Sequence, residues 1–324
     1  MAKRVVVFGL GGTIAMGPSS GGGVVPALSP GQLLAAVPGL SESGVEVEVV
    51  DFRQVPGASV TFEDVAALVE AIGEVDADGV VVTQGTDTIE ETSYLVDLTY
   101  SGEAPVVVTG AMRNPTLAGA DGPANLLAAV QVAASEEARG LGCLVVFADE
   151  IHAARRMRKT HSSSTGAFRS PNGGALGYVV EGQVQLLQRV ARRGVLPHNA
   201  SNQARIVIVT AVLGDDGELL AGLEGRVDGV VVAAFGAGHV PVSWVEPLQR
   251  LVSRVPVVLS SRTGGGSVFA GTYGFAGSEK DLLERGLISA GFLDPLKARL
   301  LLRALVGTGA DDTAIRAAFD EAGR

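Results

Sequence analysis

The stretch Val80-Val81-Val82-Thr83-Gln84-Gly85-Thr86-Asp87-Thr88, continued by Ile89-Glu90-Glu91, runs a short apolar strand into a polar loop and the start of a helix. Short apolar runs recur at Val5 to Phe8, Val45 to Val50, Val106 to Thr109 and Leu144 to Phe147, with helix-period segments between them. A strand that is apolar at successive positions must be covered on both faces, the pattern of a parallel sheet wrapped by helices. Helix starts fit this alternation. Ser29-Pro30 with Gln32 reads as a capping box with Pro at the first helical position, and Thr61 followed by Asp64 reads as a second start.

After Gly177 the pattern changes. Tyr178 to Leu187 predicts a hairpin turning at Glu181-Gly182, and the polar stretch Arg189 to Gln203 reads as a linker. Alternation resumes with Ile206 to Thr210, Gly229 to Phe235 and Val255 to Ser260, followed by two helices, one opened by Asp294-Pro295. The expected fold is α/β: a large N-terminal parallel-sheet domain over 1–190, wrapped by helices, plus a smaller C-terminal α/β domain over 205–324. The length of 324 residues agrees, since single domains usually run to roughly 100 to 200. Only 5% of residues are aromatic while 44 are glycine, which favours close helix-on-sheet packing and sharp connections.

The net charge of -10 argues against nucleic acid, whose phosphates demand concentrated Lys and Arg. Arg155 to Lys159 is the one dense basic stretch, and by composition it reads as a solvated loop. The single cysteine, Cys143, lies in the apolar run Leu141 to Phe147 and reads as a buried, inert thiol. At the amino terminus Val5 to Phe8 is too short for a signal peptide and reads as a first buried strand. No window approaches the roughly 20 apolar residues that span a bilayer, so a soluble cytoplasmic protein with no membrane partner is expected. Asn199-Ala200-Ser201 matches a glycosylation sequon but carries no weight without secretion. No metal is expected, because His152, His161, His198 and His239 lack the paired spacing of a zinc site. No cofactor is expected either: there is no P-loop, and Gly9-Leu10-Gly11-Gly12-Thr13-Ile14-Ala15 lacks the third glycine of a dinucleotide loop.

Four segments place small, polar or charged groups just past a predicted strand, where ligands bind in open α/β sheets. The first is Gly9 to Ala15, either a tight turn or the carrier of a nucleophile, followed by the glycine-rich stretch Pro18 to Gly23. The second is Gln84 to Thr88, whose Thr and Asp are either helix caps or ligands for a substrate. The third is Thr109-Gly110-Ala111-Met112-Arg113 with Asp121-Gly122-Pro123-Ala124-Asn125, and the fourth is Arg155 to His161.

Together they resemble the bacterial-type L-asparaginase family. The matching motifs, in the family's order, are GGTIA at Gly11, GTDT at Gly85 with EET at Glu90, VTGAMR at Val108 with ADGP at Ala120, KTH at Lys159 with SPN at Ser170, and DPLKAR at Asp294. The resemblance implies an amidohydrolase that cleaves the side-chain amide of asparagine through a threonine acyl-enzyme, with a glutaminase-asparaginase of broader specificity or a non-catalytic small-molecule-binding protein of the same fold as alternatives. It implies Thr13 as nucleophile, and Thr86, Asp87 and Lys159 as its catalytic companions. A threonine hydroxyl needs a base within hydrogen-bond reach, and a buried lysine beside Thr86 can accept a proton from it or from water. Gly12, Gly85 and the Gly110-Ala111 backbone would contact substrate or its oxyanion. It further implies a homotetramer, a dimer of dimers with sites at subunit interfaces.

The sequence departs from the family at three places. Where the flap often carries a tyrosine stands Gly23, and no tyrosine precedes Tyr94. A serine that binds the substrate carboxylate would fall near Arg53, so Arg53, Gln54 or Ser59 is expected to serve. His239 stands where an asparagine is frequent, and Glu279 aligns with an acid that binds the substrate amine across an interface. Read without the family, His239 is a loop histidine and Glu279 a helix cap with a solvated charge.

Overall fold

The structure is a computed structural model that describes residues 2–12, 14, 16–18, 21, 24–26, 30–197 and 202–324. The chain divides into two units, Met1–Val195 and Leu196–Arg324. The strands of the first are β1 (Lys3–Gly9), β2 (Met16–Pro18), β3 (Val24–Pro26), β4 (Val45–Asp51), β5 (Gly79–Thr83), β6 (Val106–Thr109), β7 (Cys143–Phe147), β8 (Glu150–Ala153), β9 (Arg158–Lys159), β10 (Phe168–Arg169), β11 (Gly177–Val180) and β12 (Gln183–Leu186). Its helices are α1 (Pro30–Ala35), α2 (Phe62–Glu74), α3 (Ile89–Thr99) and α4 (Gly122–Ala134).

The main sheet runs β12-β11-β8-β7-β6-β5-β1-β4. From β4 to β7 all neighbours are parallel, as the apolar runs predict. Strands β5, β6 and β7 are buried at every position. One face packs Val81, Val107 and Leu144 against Leu126, Val130 and Ala133 of α4. The other packs Val80, Val82 and Val108 against Leu68 and Ile72 of α2 and Ile89 and Val96 of α3. A parallel strand reached by a crossover has helices above and below it, which is why these runs do not alternate.

One expectation needs correction. The run Val45 to Val50 is not covered on both faces: β4 is an edge strand whose Glu46 and Glu48 are exposed and whose valines are only half-buried. Charge at the rim discourages pairing with another chain. Beyond the parallel strands, β8, β11 and β12 join antiparallel. Ala148 and Asp149 turn β7 directly into β8 with positive φ values of 49° and 62°, so no crossover helix intervenes. Neither residue belongs to the glycine-containing pairs that signal such a turn. The β11–β12 hairpin does turn at Glu181-Gly182, with φ values of 50° and 74°.

Thr61 caps α2 in a reciprocal capping box with Asp64. Burial raises the Asp64 carboxyl, but hydrogen bonds from Thr61 and Arg53 outweigh it and hold the group below the usual range. Helix α1 begins at Pro30, and its expected cap Ser29 lies outside the described residues. Cys143 is buried, and burial pushes its thiol well above the ordinary value, consistent with an inert group. The second unit is a parallel sheet β13 (Ile206–Thr210), β14 (Gly229–Ala234), β15 (Val257–Ser261), β16 (Ile288–Ser289), in that order. Its helices are α5 (Glu218–Ala221), α6 (Val245–Val252), α7 (Glu279–Glu284), α8 (Pro295–Gly307) and α9 (Asp312–Ala322). Asp294 caps α8 by accepting from Leu296 and Lys297 backbone N–H groups. Among the described residues no helix is long and apolar enough to cross a membrane.

His152 on β8 is fully buried, with Nδ1 3.0 Å from Ser170 Oγ. Burial, reinforced by Arg169, lowers its pKa to about 4. The unfolded chain therefore binds up to one more proton between pH ~6.5 and ~4, so stability is lost as the pH is lowered through that window, by up to about 3 kcal/mol. Urea midpoints measured from pH 7 to pH 4 should show this fall, and His152→Gln should flatten it. Ala148→Gly should raise stability by roughly 1 kcal/mol in the same assay, because it relieves a left-handed non-glycine residue.

Candidate active site

Parallel strands present their carboxyl ends on one edge, and the loops after β1, β5 and β6 gather there. Backbone hydrogen bonds lace them together: Leu10 N donates to Thr83 O, Gln84 N to Thr109 O, and Val55 N to Leu10 O, at 2.9 to 3.0 Å. Glycine permits the approach. Gly12, at φ 92°, lies so close to Gly85 that a Cβ on it would overlap the Gly85 backbone nitrogen. A Cβ on Gly85 would lie 2.8 Å from Gly57 N, and one on Gly57 2.9 Å from Gly85 C. The expected nucleophile Thr13 and the flap position Gly23 lie outside the described residues.

Thr86, 7% exposed, accepts a 3.0 Å hydrogen bond from Lys159 Nζ. The same nitrogen is 3.6 Å from Asp87 Oδ1. Thr86 and Asp87 do not cap α3. Thr88 occupies that position, and its hydroxyl is engaged elsewhere, donating to Gly57 O at 2.7 Å and accepting from Gln84 Nε2 at 2.9 Å. Lys159 lies in β9, paired with β10. The basic run carrying it is not a solvated loop. Arg155, Arg156 and Arg158 are half-buried and Met157 fully buried, and Arg155 donates to Ala191 O at 2.6 Å.

The loop after β6 is clamped from α4. Asp121 accepts from Met112 N at 3.0 Å and Arg113 N at 2.8 Å, and Asn125 Nδ2 donates to Gly110 O at 3.0 Å. Ala111 is buried. These clamping roles escaped the sequence, although Asp121 and Asn125 sit in the segment it singled out. Among the three candidates for a substrate carboxylate, Arg53 already donates to Asp64 at 3.2 Å and stacks on Phe52, with its charge 4.9 Å from the ring centre. Gln54 and Ser59 are exposed, on the loop that Gly57 ties to Gly85.

In the second unit the structure brings His239 and Glu279 together, at 3.1 Å. Glu279 is fully buried, not a solvated charge, and α7 is capped by Ser278 instead. Its Oε1 accepts from the backbone N–H groups of Thr272 and Tyr273 at 2.9 and 2.8 Å. Burial raises the Glu279 carboxyl, but these N–H donors and His239 more than offset it and leave it below the usual carboxylate range. Tyr273 and Phe275 meet the His239 ring edge-on at 4.8 and 5.1 Å between centroids.

A threonine hydroxyl bonded to a lysine amine beside a carboxylate, on the carboxyl edge of a parallel sheet, is an arrangement able to activate a hydroxyl in an α/β enzyme. The chain matches the N-terminal asparaginase domain over residues 4–192 and the glutaminase/asparaginase C-terminal domain over residues 205–319, and it belongs to the asparaginase family. It is 38% identical to a probable L-asparaginase of Deinococcus radiodurans over 98% of this chain and 97% of that one. It is 34% identical to an L-asparaginase of Bacillus licheniformis over 95% and 97%. The crystal structure of a probable cytoplasmic L-asparaginase from Campylobacter jejuni superposes with a TM-score of 0.87 at 32% identity, covering 98% of this chain and 99% of that one.

Gly85→Ala should cost roughly 1 to 3 kcal/mol, because its methyl meets backbone rather than a movable side chain. Urea unfolding would measure this, and an unchanged midpoint would mean that the loops are free to separate.

Proposed function

We propose that this protein hydrolyses the side-chain amide of L-asparagine to L-aspartate and ammonia. The observation that carries the proposal is the 3.0 Å bond between Lys159 Nζ and Thr86 Oγ1 inside the GTDT and KTH motifs. Thr13 attacks the amide carbon, ammonia leaves, and a β-aspartyl ester remains on the threonine. Water then attacks the ester carbonyl, its proton passing through Thr86 to Lys159, and the ester C–O bond breaks as that proton is returned to Thr13 Oγ1 and aspartate leaves. Asp87, whose side chain is 60% exposed, holds the substrate's ammonium group. Backbone N–H groups around Gly12 and Gly85 stabilise the oxyanion, and Ala111 lines the end that receives the amide. Gln54 and Ser59 are the candidates for the substrate carboxylate with the fewest competing bonds, while Arg53 would first have to leave Asp64.

The assembly proposed is a homotetramer, a dimer of dimers in which His239 and Glu279 complete a neighbour's site. Phe269, Tyr273, Phe275 and Phe292 of the second unit are 42 to 50% exposed in the single chain, aromatic surface that such a neighbour would cover. A cytoplasmic location is proposed with the Campylobacter jejuni protein as the guide; a relative from Haemophilus influenzae, 36% identical over 75% of this chain, is described as periplasmic.

Ammonia release from asparagine and glutamine, measured side by side, should favour asparagine, and equal turnover would overturn that assignment. Lys159→Met and Thr86→Val should each lower kcat by about 10²- to 10⁴-fold on a folded protein. Near-full activity in either variant would remove that residue from the mechanism.

A further inference from the structure

We propose that Glu90 is a positioning residue: its buried carboxylate anchors the backbone of the β9–β10 ribbon, so that the Lys159 amine stays within reach of the Thr86 hydroxyl. This rests on the reading that Thr86 and Lys159 act in the chemistry. Lys159 comes from a two-residue strand whose partner is equally short, and the ribbon stands outside the eight-stranded sheet. Isolated two-stranded pairs are marginal in water. A lysine on such a ribbon has four rotatable bonds between backbone and amine, so its reach is defined only if the backbone itself is fixed.

Beside the 2.9 Å bond from Arg169 of β10 to Glu150 of β8, three contacts bear on the Lys159 backbone. Phe168 stacks on Phe147 of the main sheet at 4.1 Å, and Thr160 N donates to Ala167 O at 2.7 Å, closing the ribbon on itself. The third contact leaves the ribbon for the site: Lys159 N donates to Glu90 Oε2 at 3.0 Å. Glu90 is 9% exposed, in the first turn of α3, where the helix dipole favours a carboxylate. That helix starts directly after Thr86 and Asp87. One rigid element therefore positions both halves of the pair, the hydroxyl through its entry loop and the amine through Glu90. Asp87 cannot do this alone, since its carboxylate is 60% exposed and 3.6 Å from the amine.

Glu90→Ala, Glu90→Gln and Lys159→Met should be compared with the wild type by asparagine turnover, melting and hydrogen exchange. Glu90→Ala should lower kcat about 100-fold, the scale of a small misplacement of a reacting group, with KM within about threefold. Glu90→Gln keeps an acceptor oxygen of the same reach and should recover to within about threefold of wild type. In a Lys159→Met background Glu90→Ala should add less than about threefold, because the residue it acts through is gone. The Lys159 amide should exchange at least about tenfold faster in Glu90→Ala, with the central strands unchanged. If Glu90→Ala does not fold, Glu90→Asp withdraws the carboxylate by one methylene and should lose about tenfold in kcat.

A folded Glu90→Ala or Glu90→Asp with wild-type kcat, or an unchanged exchange rate at Lys159, overturns the proposal. Absence of ammonia release by the wild type would overturn the proposed function instead, and the exchange measurement would still decide whether Glu90 holds the ribbon.

Discussion

The close approach of Gly12, Gly57 and Gly85 is the constraint on which the arrangement of the first unit's site depends. Three loops from distant parts of the chain meet with backbone against backbone, and no side chain fits between them. Packing of this density transmits displacement directly, because interiors lack the free volume to absorb even one methyl group. Gly12 and Gly85 are fixed relative to each other by the same contact that seats the Gly57 loop. The polar residues that follow, Thr86 and Asp87, inherit that geometry. This explains a glycine-rich chain with few aromatics: it sacrifices side-chain bulk where loops must touch and recovers apolar burial in the valine-rich strands beneath.

Above that base the site is assembled from one side and braced from the other. The β5 loop supplies the hydroxyl and a carboxylate, the β9–β10 ribbon supplies the amine, and α4 clamps the β6 loop through Asp121 and Asn125. None of the braces need touch a ligand. They occupy the backbone N–H and C=O groups that a loop would otherwise leave to water, which holds the loop in one conformation. Gln84 and Thr88 do the same for the contact between the β5 loop and Gly57.

The second unit shows how local charge can mislead when burial is unknown. Glu279 lies within Ser278-Glu279-Lys280-Asp281, which reads as the wet start of a helix, yet its carboxylate is fully enclosed. Two backbone N–H groups and His239 make that burial tolerable, since a buried charge persists only when its oxygens are hydrogen-bonded. The imidazole, 24% exposed and flanked by Tyr273 and Phe275, is the outward-facing member of the pair.

The amino-acid sequence by itself determined the elements whose physics is local. Unbroken apolar runs specified the parallel strands, because both faces of such strands must be dry, and Thr61 with Asp64 or Asp294 with Pro295 specified helix starts through bonds that span only a few residues. The motifs at Gly85, Val108 and Lys159 specified the family, because their side chains and spacings recur together. Tertiary structure alone decided the rest. Ala148-Asp149 turns the chain without the glycine that marks such turns, so β8 was invisible in the sequence, and with it the join between the parallel strands and the β11–β12 hairpin. The basic run looked wet because charge is a property of composition, whereas burial depends on what folds over it. Lys159 reaches Thr86 across 73 residues of sequence, and no periodicity spans such a gap; only the packing of a short ribbon onto the start of a helix brings that amine and that hydroxyl together.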